Sequence, residues 1–451
     1  MKKSRSQFIC QNCGYNSPRW IGKCPECEQW NTFAEELVIK RKTDEANKPL
    51  SHAPIPITQI PKLDMKRILT GNSEFDRVLG GGIVPGSAVL IAGAPGIGKS
   101  TLLLQIGALL ASRGKNILYI SGEESLEQIR LRADRLHIES DRFKLFIDND
   151  LSAILTLMRS EKPDLAIVDS IQTIYNSDME SLPGNVSQVR SCGYDLTINA
   201  KESGIPLFMV GHVTKEGNIA GPRVLEHLVD GLFLFEGDDQ HVYRLLRSVK
   251  NRFGSTNEVG IFEMTDEGIQ EVKNPSENLI SDRPERTPGT VVTVSLEGTR
   301  PLMVEVQALV SSTSYGIPQR IATGIDHRRV AILLAVLEKK VGLKFGSQDV
   351  FVSTAGGLKL AEPAVDLAVT IALVSSYHDK PVRENTAVLG EIGLTGEIRG
   401  IAQVIRRIGE AERIGFSQII LPKPNLKGLK HTSGIKLIGV QTLNEAIDSL
   451  F

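Results

Sequence analysis

The chain has 451 residues, too many for one hydrophobic core, and this length predicts roughly two to four domains. Hydrophobic residues make up 41% and charged residues 23%, and the formal net charge of −1 excludes a global basic field for nucleic acid. The sequence has no continuous apolar run of the ~18 to 20 residues that a membrane-spanning helix needs. Its first residues lead into a cysteine cluster without the apolar core of a secretory signal. We therefore expect a cytoplasmic protein with no membrane partner.

Four of the five cysteines form a local cluster near the start of the chain. Cys10-x2-Cys13 and Cys24-x2-Cys27 are two knuckles that can present two thiolates each, and four thiolates complete a tetrahedral Zn²⁺ site. Such a site has no open position for water, so the zinc would be structural, in a module too small to fold by apolar burial alone. Redox-active cysteines are the alternative.

The same short module contains both tryptophans of the chain, Trp20 and Trp30. Together with Arg19 and Lys23 they are able to form a surface that stacks on bases and contacts phosphates. Packing around the metal is the alternative, and the sequence does not decide between the two.

Changes in composition divide the chain into five segments. Polar, proline-rich text follows the cysteine module, and prolines, a glycine and charges cluster again after residue 272. Between these two stretches, short apolar runs alternate with helical text, a βαβ rhythm that predicts a parallel sheet flanked by helices. The predicted segments are a zinc module at 1–37, a linker at 38–66, an α/β domain at 67–272, a linker at 273–289 and an α+β domain at 290–451.

Apolar runs mark the expected elements of the two larger domains. In the α/β domain the predicted strands are Ala88–Ala92, Asn116–Ser121, Leu165–Asp169, Pro206–Val210 and Gly231–Phe235. In the last domain the predicted strands are Thr290–Leu296, Pro301–Leu309 and Gln418–Pro422, and the predicted helices are Arg328–Val341 and Pro363–Tyr377.

One segment matches the complete phosphate-binding pattern G-x4-G-K-[ST] between a strand-like and a helix-like run. The residues concerned are Gly93, Ala94, Pro95, Gly96, Ile97, Gly98, Lys99, Ser100 and Thr101. The glycines let successive backbone N–H groups point at phosphate oxygens, Lys99 bridges the outer phosphates, and Ser100 can ligate Mg²⁺. The sequence therefore predicts a P-loop that binds ATP with Mg²⁺.

Hydrolysis also needs one carboxylate to organise the metal and another to orient the attacking water. Asp169 ends an apolar strand and fits the metal-side role. Glu123, at the end of the strand after the P-loop helix, is our choice for the water, ahead of its neighbour Glu124. The alternatives are a strand-terminal aspartate that caps a loop and two surface acids at a helix start.

Together these residues resemble the RecA-like ATPases. In that superfamily a polar residue at the end of a fourth strand senses the γ-phosphate and couples it to DNA-facing loops. His212 occupies that place here, and a purely structural histidine is the alternative. The resemblance thus implies four catalytic residues, Lys99, Glu123, Asp169 and His212.

The cysteine module, the P-loop and the run Lys250-Asn251-Arg252-Phe253-Gly254 occur in combination in the bacterial RadA (Sms) family, which the whole chain resembles. The resemblance implies a RecA-like core, a zinc finger and a C-terminal domain similar to the Lon protease domain. It also implies a DNA-dependent ATPase of recombinational repair that moves along single strands and extends branched intermediates. The implied partners are single-stranded and branched DNA, a recombinase of the RecA type, and other copies of the chain in a ring of six.

The Lys250–Gly254 run follows one strand-like segment and precedes another, which places two cations and an aromatic ring at the turn of a hairpin. Such a group can reach the nucleotide of a neighbouring subunit, as an arginine finger does, or contact a DNA phosphate. We favour the inter-subunit role for Lys250 and Arg252. A solvated basic turn is the alternative.

The Lon-like domain raises the main competing function, an ATP-dependent protease. Lon-type proteases use a serine activated by a lysine. Here Ala364 stands where the serine belongs, and no lysine lies between Pro381 and Pro422. We therefore expect an inactive scaffold. Its basic pairs are either DNA contacts or solvated helix faces: Arg328-Arg329, Lys339-Lys340 and Arg406-Arg407.

A regulatory ATPase of the circadian-clock type is a further alternative. It would share the core and the ring but would need no DNA, and the near-neutral net charge is compatible with it.

Overall fold

The computed structural model describes residues 5–10, 14–38, 56, 58, 66–212, 225–237, 243–280, 286–313, 316–429 and 434–451. Cys13 and nearly all of the predicted 38–66 linker lie outside these ranges. The chain separates into two compact units: the first contains 1–237 and 244–271, the second 238–243 and 272–451. Within the described ranges, no helix combines the length and the apolar character needed to cross a membrane.

The start of the first unit is a three-stranded antiparallel sheet in the order β2-β1-β3. Its strands are β1 (Arg5–Cys10), β2 (Asn16–Ser17) and β3 (Phe33–Val38). Cys10 pairs with Phe33 at the end of β1, so the first knuckle begins where this sheet ends.

The rest of the first unit is a nine-stranded sheet in the order β12-β11-β10-β9-β4-β8-β7-β5-β6. Its strands are β4 (Ala88–Gly93), β5 (Ile117–Ser121), β6 (Phe143–Ile147), β7 (Leu165–Asp169), β8 (Leu207–His212), β9 (Gly231–Glu236), β10 (Tyr243–Asn251), β11 (Val259–Thr265) and β12 (Gly268–Glu271). Its helices are α1 (Ser73–Leu79), α2 (Lys99–Ser112), α3 (Leu126–Arg135), α4 (Leu151–Glu161) and α5 (Val186–Ser203). Strands β4 to β9 are parallel, whereas β10 is antiparallel to β9 and β11 to β12.

Helices cover both faces of the parallel strands, and this explains their continuous apolar text. Alternate residues of β4 enter different cores: Val89 and Ile91 pack with α2 residues, whereas Leu90 packs with Leu196 of α5. Every residue of β4, β5 and β7 is buried. A strand buried on both sides has no polar face, so its hydrophobic run is unbroken.

The five strands predicted for this domain are therefore confirmed, each within about two residues. Edge strand β6 was not predicted. It is short and only partly buried, and it carries a lysine in its five residues.

The second unit is built on a seven-stranded sheet in the order β15-β16-β14-β13-β17-β20-β21, with β18 and β19 as a separate pair. Its strands are β13 (Thr290–Glu297), β14 (Arg300–Ser312), β15 (Arg320–Ala322), β16 (Gln348–Thr354), β17 (Thr386–Val388), β18 (Glu391–Ile392), β19 (Ile398–Arg399), β20 (Gln418–Pro422) and β21 (Lys436–Val440). Its helices are α6 (Pro275–Ile280), α7 (His327–Val336), α8 (Asp366–Tyr377), α9 (Val404–Arg413) and α10 (Leu443–Leu450).

Both helices predicted for the last domain are present, with altered ends. The one predicted at Arg328–Val341 is α-helical to Val336 and then becomes a π-helical turn, Leu337–Val341. The one predicted from Pro363 begins with a 3₁₀ turn, Pro363–Val365, before α8.

Part of the predicted 273–289 linker is helix α6, which packs in the second unit. Pro275, Ser276 and Leu279 are buried. The Ser276 hydroxyl contacts Glu410 and accepts a hydrogen bond from Met303 N at 3.1 Å. The polar, proline-containing segment 273–289 therefore includes a packed helix and is not only a linker.

Two ion pairs flank Ala364, the position where the protease nucleophile was expected. Arg407 donates to both carboxylate oxygens of Glu362 at 2.6 and 2.7 Å, and Arg329 pairs with Asp366. Because Arg407 is only 1% exposed, the prediction that Arg406-Arg407 forms a basic surface patch is wrong for Arg407.

Arg407→Ala should destabilise the second unit by roughly 3 kcal/mol, at the lower end for breaking a buried pair, because the Glu362 side chain keeps 23% exposure. Arg406→Ala, on the exposed side of the same helix, is the matched control and should change stability little. Urea unfolding of the full-length chain measures both. Equal effects of the two substitutions would contradict the structural role of the Arg407–Glu362 pair.

Candidate ATP site and zinc centre

Four predicted site residues converge because their strands run in the same direction. Gly93, the last residue of β4, pairs with His212, the last residue of β8. Asp169, the last residue of β7, pairs with Ser121 of β5, and Glu123 follows shortly after that strand. The structure thus brings the P-loop, Glu123, Asp169 and His212 to one edge of the sheet.

Two glycines allow the P-loop to turn tightly. A side chain at Gly93 would place its Cβ 2.6 Å from the carbonyl oxygen of Phe235. Gly98, the N-cap of α2, has φ +111°, a left-handed conformation that favours glycine. The first turn of α2 is therefore directed towards the space above the strand ends, where backbone N–H groups can face phosphate.

Lys99 is buried, with 4% exposure, and its amine is held at the edge of the sheet. It donates to the carbonyl oxygens of Gly93 at 3.0 Å and Ala94 at 2.9 Å, and lies 3.3 Å from His212 Nδ1. Burial lowers the pKa of Lys99 to about 8, and the nearby charges of Asp169 and Glu123 oppose this shift. The amine is therefore a buried cation close to both carboxylates.

The contacts of His212 determine its tautomer. An ammonium group has no lone pair, so Nδ1 accepts from Lys99 and the proton of the neutral ring is on Nε2. His212 Nε2 lies 3.3 Å from Glu123 Oε1 and donates to it. One histidine ring therefore links the P-loop lysine to the glutamate expected to orient water.

Glu123 and Glu124 are adjacent in sequence but have different partners. Glu123 accepts hydrogen bonds from His212 and from the hydroxyl of Ser170. These hydrogen bonds, that of His212 first, lower the pKa of Glu123 despite its partial burial. Glu124 instead pairs with Arg132 on α3. Of the two, Glu123 is the one that points into the cluster with Lys99 and His212.

Asp169 is buried and accepts a hydrogen bond from the Tyr119 hydroxyl at 2.5 Å. Burial, with the charge of Asp169, raises the pKa of Tyr119 well above its usual value. A carboxylate at this position and the hydroxyl of Ser100 are oxygen donors of the type that Mg²⁺ prefers, so the donor set fits that ion. Tyr119 and Ser170 were not predicted, although both are adjacent to the motifs in sequence.

The Lys250–Gly254 run lies at the opposite edge of the sheet from the P-loop, namely the edge where the parallel strands begin. Asn251 pairs with Gly231, and Gly231 also pairs with Val89 near the start of β4. Gly93 pairs with Phe235, four residues farther along β9. At ~3.3 Å per residue the two edges are about 13 Å apart. The structure does not bring Lys250 and Arg252 to the P-loop of their own chain.

Hydrogen bonds hold this run in place. Arg252 Nη1 lies 3.1 Å from the buried carboxylate of Asp230, and Lys250 donates to the carbonyl oxygen of Glu226 at 2.6 Å. Burial and the nearby Arg252 lower the pKa of Lys250. Asn251 donates to the carbonyl oxygen of Leu79 at 3.2 Å and accepts from Phe253 N at 2.9 Å. The run is an ordered basic turn, half open to solvent at Arg252.

The cysteine cluster has the dimensions of a zinc site. The sulfur atoms of Cys10, Cys24 and Cys27 all lie within 4.8 Å of one another. Cys10 Sγ and Cys27 Sγ are 3.7 Å apart. Thiolates bound to zinc at ≈ 2.3 Å in a tetrahedron are about 3.8 Å apart. The three cysteines therefore fit Zn²⁺, and the fourth predicted ligand, Cys13, lies outside the described residues.

Trp20 and Trp30 are 52% and 68% exposed. Both indole rings approach Gly22, at 3.6 to 3.8 Å from the position of a Cβ there. The two rings are therefore exposed on the surface of the module and lie next to the same glycine.

Family models match three parts of the chain. The model of the AAA domain matches residues 55–218, and that of the rubredoxin metal binding domain matches residues 8–35. The model of subunit ChlI of Mg-chelatase matches residues 307–425, within the region expected to be Lon-like. The α/β fold class with a zinc-binding module and a ChlI/Lon-like C-terminal region is thereby confirmed.

Several known proteins are similar to this chain along its whole length. "DNA repair protein RadA" of Bacillus subtilis (strain 168) is 52% identical, and the match covers 99% of each chain. The protein of the same name from Listeria monocytogenes is 51% identical over 99% of this chain and 98% of its own. That of Streptococcus pyogenes serotype M1 is 48% identical over 100% of both. Identity of this extent along the whole length shows that the chain belongs to the RadA family of DNA repair proteins.

Proposed function

We propose that the protein is a cytoplasmic, DNA-dependent ATPase of recombinational repair that works as a ring on single-stranded DNA and extends branched intermediates. The observation that carries this proposal is the position of its two polar clusters. Lys99, Glu123, Asp169 and His212 meet at one edge of the sheet, and the ordered basic turn lies at the other.

At the first edge the residues are suited to hydrolyse ATP. Backbone N–H groups from Gly93 to Thr101 would hold the phosphates, with Lys99 at the outer ones. When bound, Mg²⁺ would supply charge neutralisation on the phosphates, and Asp169 and Ser100 would hold it. Glu123 would orient the attacking water, with its carboxylate positioned by Ser170 and His212.

His212 provides the coupling from nucleotide to DNA. A γ-phosphate that draws Lys99 away removes the partner of His212 Nδ1, and this changes the hydrogen bond from Nε2 to Glu123. Because His212 is the last residue of β8, the change is passed directly to the segment that follows. That segment is where the RecA-like resemblance puts a DNA-facing loop.

Lys250 and Arg252 act on a neighbouring subunit. The two edges are farther apart than a lysine or arginine side chain extends, so the turn has no access to the ATP of its own chain. A ring of six copies would place it at the γ-phosphate of the next subunit, where a cation stabilises the transition state. Contact with a DNA phosphate is the second candidate role.

The zinc module is structural, and the Lon-like domain is a scaffold for the ring. A Lon-type protease is disfavoured because Ala364 offers no nucleophile. The names of the relatives support DNA repair. Single-stranded and branched DNA and a recombinase of the RecA type are the proposed partners.

ATP turnover with and without single-stranded DNA tests the proposal. We expect strong stimulation that falls steeply as salt rises, because phosphate contacts release counterions. Casein degradation, measured in parallel, should be absent. A rate of ATP turnover that single-stranded DNA does not change would favour the clock-type ATPase. Degradation of casein would favour the protease.

Glu123→Gln should lower the turnover of ATP by about 10² to 10⁴-fold while nucleotide binding persists, because an amide cannot accept the proton of water. Glu124→Gln is the matched control: its partner is Arg132, and it should retain most activity. Steady-state rates and ADP affinity measured on both variants check this. A larger loss in Glu124→Gln would reverse the assignment.

The inter-subunit role of the basic turn predicts complementation. Lys99→Ala and Arg252→Ala should each be inactive alone, but mixed rings should regain turnover, because an intact P-loop would face an intact Arg252. The control mixture, Lys250→Ala with Arg252→Ala, should recover much less, since both variants damage the same turn. DNA-stimulated ATP turnover and branch extension measure the result. If Lys250→Ala alone left both unchanged, the role of the turn would be refuted.

A further inference from the structure

The order of strands separates the surroundings of the P-loop into two sides. Strands β8, β7 and β5 lie on one side of β4, and they carry His212, Asp169 and the approach to Glu123. Strands β9 to β12 lie on the other side. The polar side chains of Glu123, Asp169 and His212, which are proposed to act at the outer phosphates, are therefore on the first side.

Apolar side chains meet the P-loop on the second side. A Cβ built at Gly98 would lie 2.8 Å from both Met264 Cε and Ile269 Cδ1. Ile97, the preceding residue, is buried and approaches Gly237 at the end of β9, 3.3 Å from the position of a Cβ there. The side chains of Met264, Ile269 and Ile97 thus border the loop where α2 begins.

This apolar border is fixed to the P-loop helix. Met264 and Ile269 are direct cross-strand partners in the β11–β12 hairpin. The backbone N–H of Ile269 donates to Gln105 Oε1 at 2.9 Å, and Gln105 is on α2. The hairpin therefore keeps its position relative to the phosphate-binding residues.

Met264 differs from its two companions in being accessible. Ile269 and Ile97 are buried, whereas Met264 is 41% exposed. A half-exposed methionine alone is unremarkable. Met264 is of interest because its side chain borders the phosphate-binding loop at Gly98. A ligand bound to that loop would therefore lie against the methionine.

We propose that Met264, supported by Ile269 and Ile97, is the shelf on which the nucleoside of ATP rests. This inference depends on the proposed ATP site. The γ-phosphate must lie towards Lys99 and Glu123, so the nucleoside leaves the loop on the opposite side of β4, where the shelf is. Nucleotide pockets are lined mainly by apolar groups, and the polarizable thioether of methionine packs well against aromatic rings such as a purine.

Titration calorimetry of the full-length chain with ADP and with pyrophosphate tests the shelf, since only ADP carries a nucleoside. Met264→Ala should weaken ADP binding by about five- to tenfold and leave pyrophosphate binding unchanged. Met264→Leu should restore most of the ADP affinity. Leu131→Ala, which removes an exposed apolar side chain on α3, is the matched control and should bind both ligands like the wild type.

Unchanged ADP binding in Met264→Ala would overturn the shelf. Equal weakening of ADP and pyrophosphate would also overturn it, because Met264 would then act through the shape of the loop. A wild-type chain that bound neither ligand would refute the ATP site itself, an outcome distinct from the failure of the shelf alone.

Discussion

The common direction of β4, β5, β7 and β8 is the constraint on which the site depends. Parallel strands end at the same edge of a sheet, so the strand direction alone brings residues that are far apart in sequence close together there. Helices on both faces bury every residue of β4, β5 and β7, and the register between paired strands keeps the strand ends level with one another. The amine of Lys99 can then be buried, because hydrogen bonds to two backbone carbonyl oxygens and to His212 replace its contacts with water.

The reversal of chain direction between β9 and β10 explains why the ATP-site residues and the basic turn lie at opposite edges of the sheet. Since β10 runs antiparallel to β9, it carries Asn251 back to the start of β4. The basic turn consequently lies at the opposite edge of the sheet from the P-loop of its own chain. An isolated subunit would bear a hydrolysis site and a basic turn that cannot serve it. The proposed ring of copies would remove this mismatch, with the buried strands between the two edges linking one nucleotide site to the next.

The second unit includes a ChlI/Lon-like region, but its residue 364 is an alanine, which has no hydroxyl to act as a nucleophile. Ala364 is buried where a nucleophile would be required to be accessible and reactive. The adjacent acids, Glu362 and Asp366, are occupied by Arg407 and Arg329. Burial of an arginine costs much desolvation energy unless its partner is well placed, and here Arg407 also donates to the carbonyl oxygen of Val294. Such a network favours one fixed geometry, which suits a scaffold better than a substrate cleft.

Motifs with fixed spacing were predictable from sequence, and contacts between distant residues were not. The P-loop and the knuckles follow from local chemistry, and continuous apolar runs predicted the central strands. Tyr119 and Asp169 are 50 positions apart, and Glu362 and Arg407 are 45 apart, so no local pattern marks either pair. Arg407 resembles a surface residue until its helix is packed on β13 and β14. Glu123 and Glu124 show the same limit within two residues, because only the folded chain reveals which of them His212 and Ser170 contact.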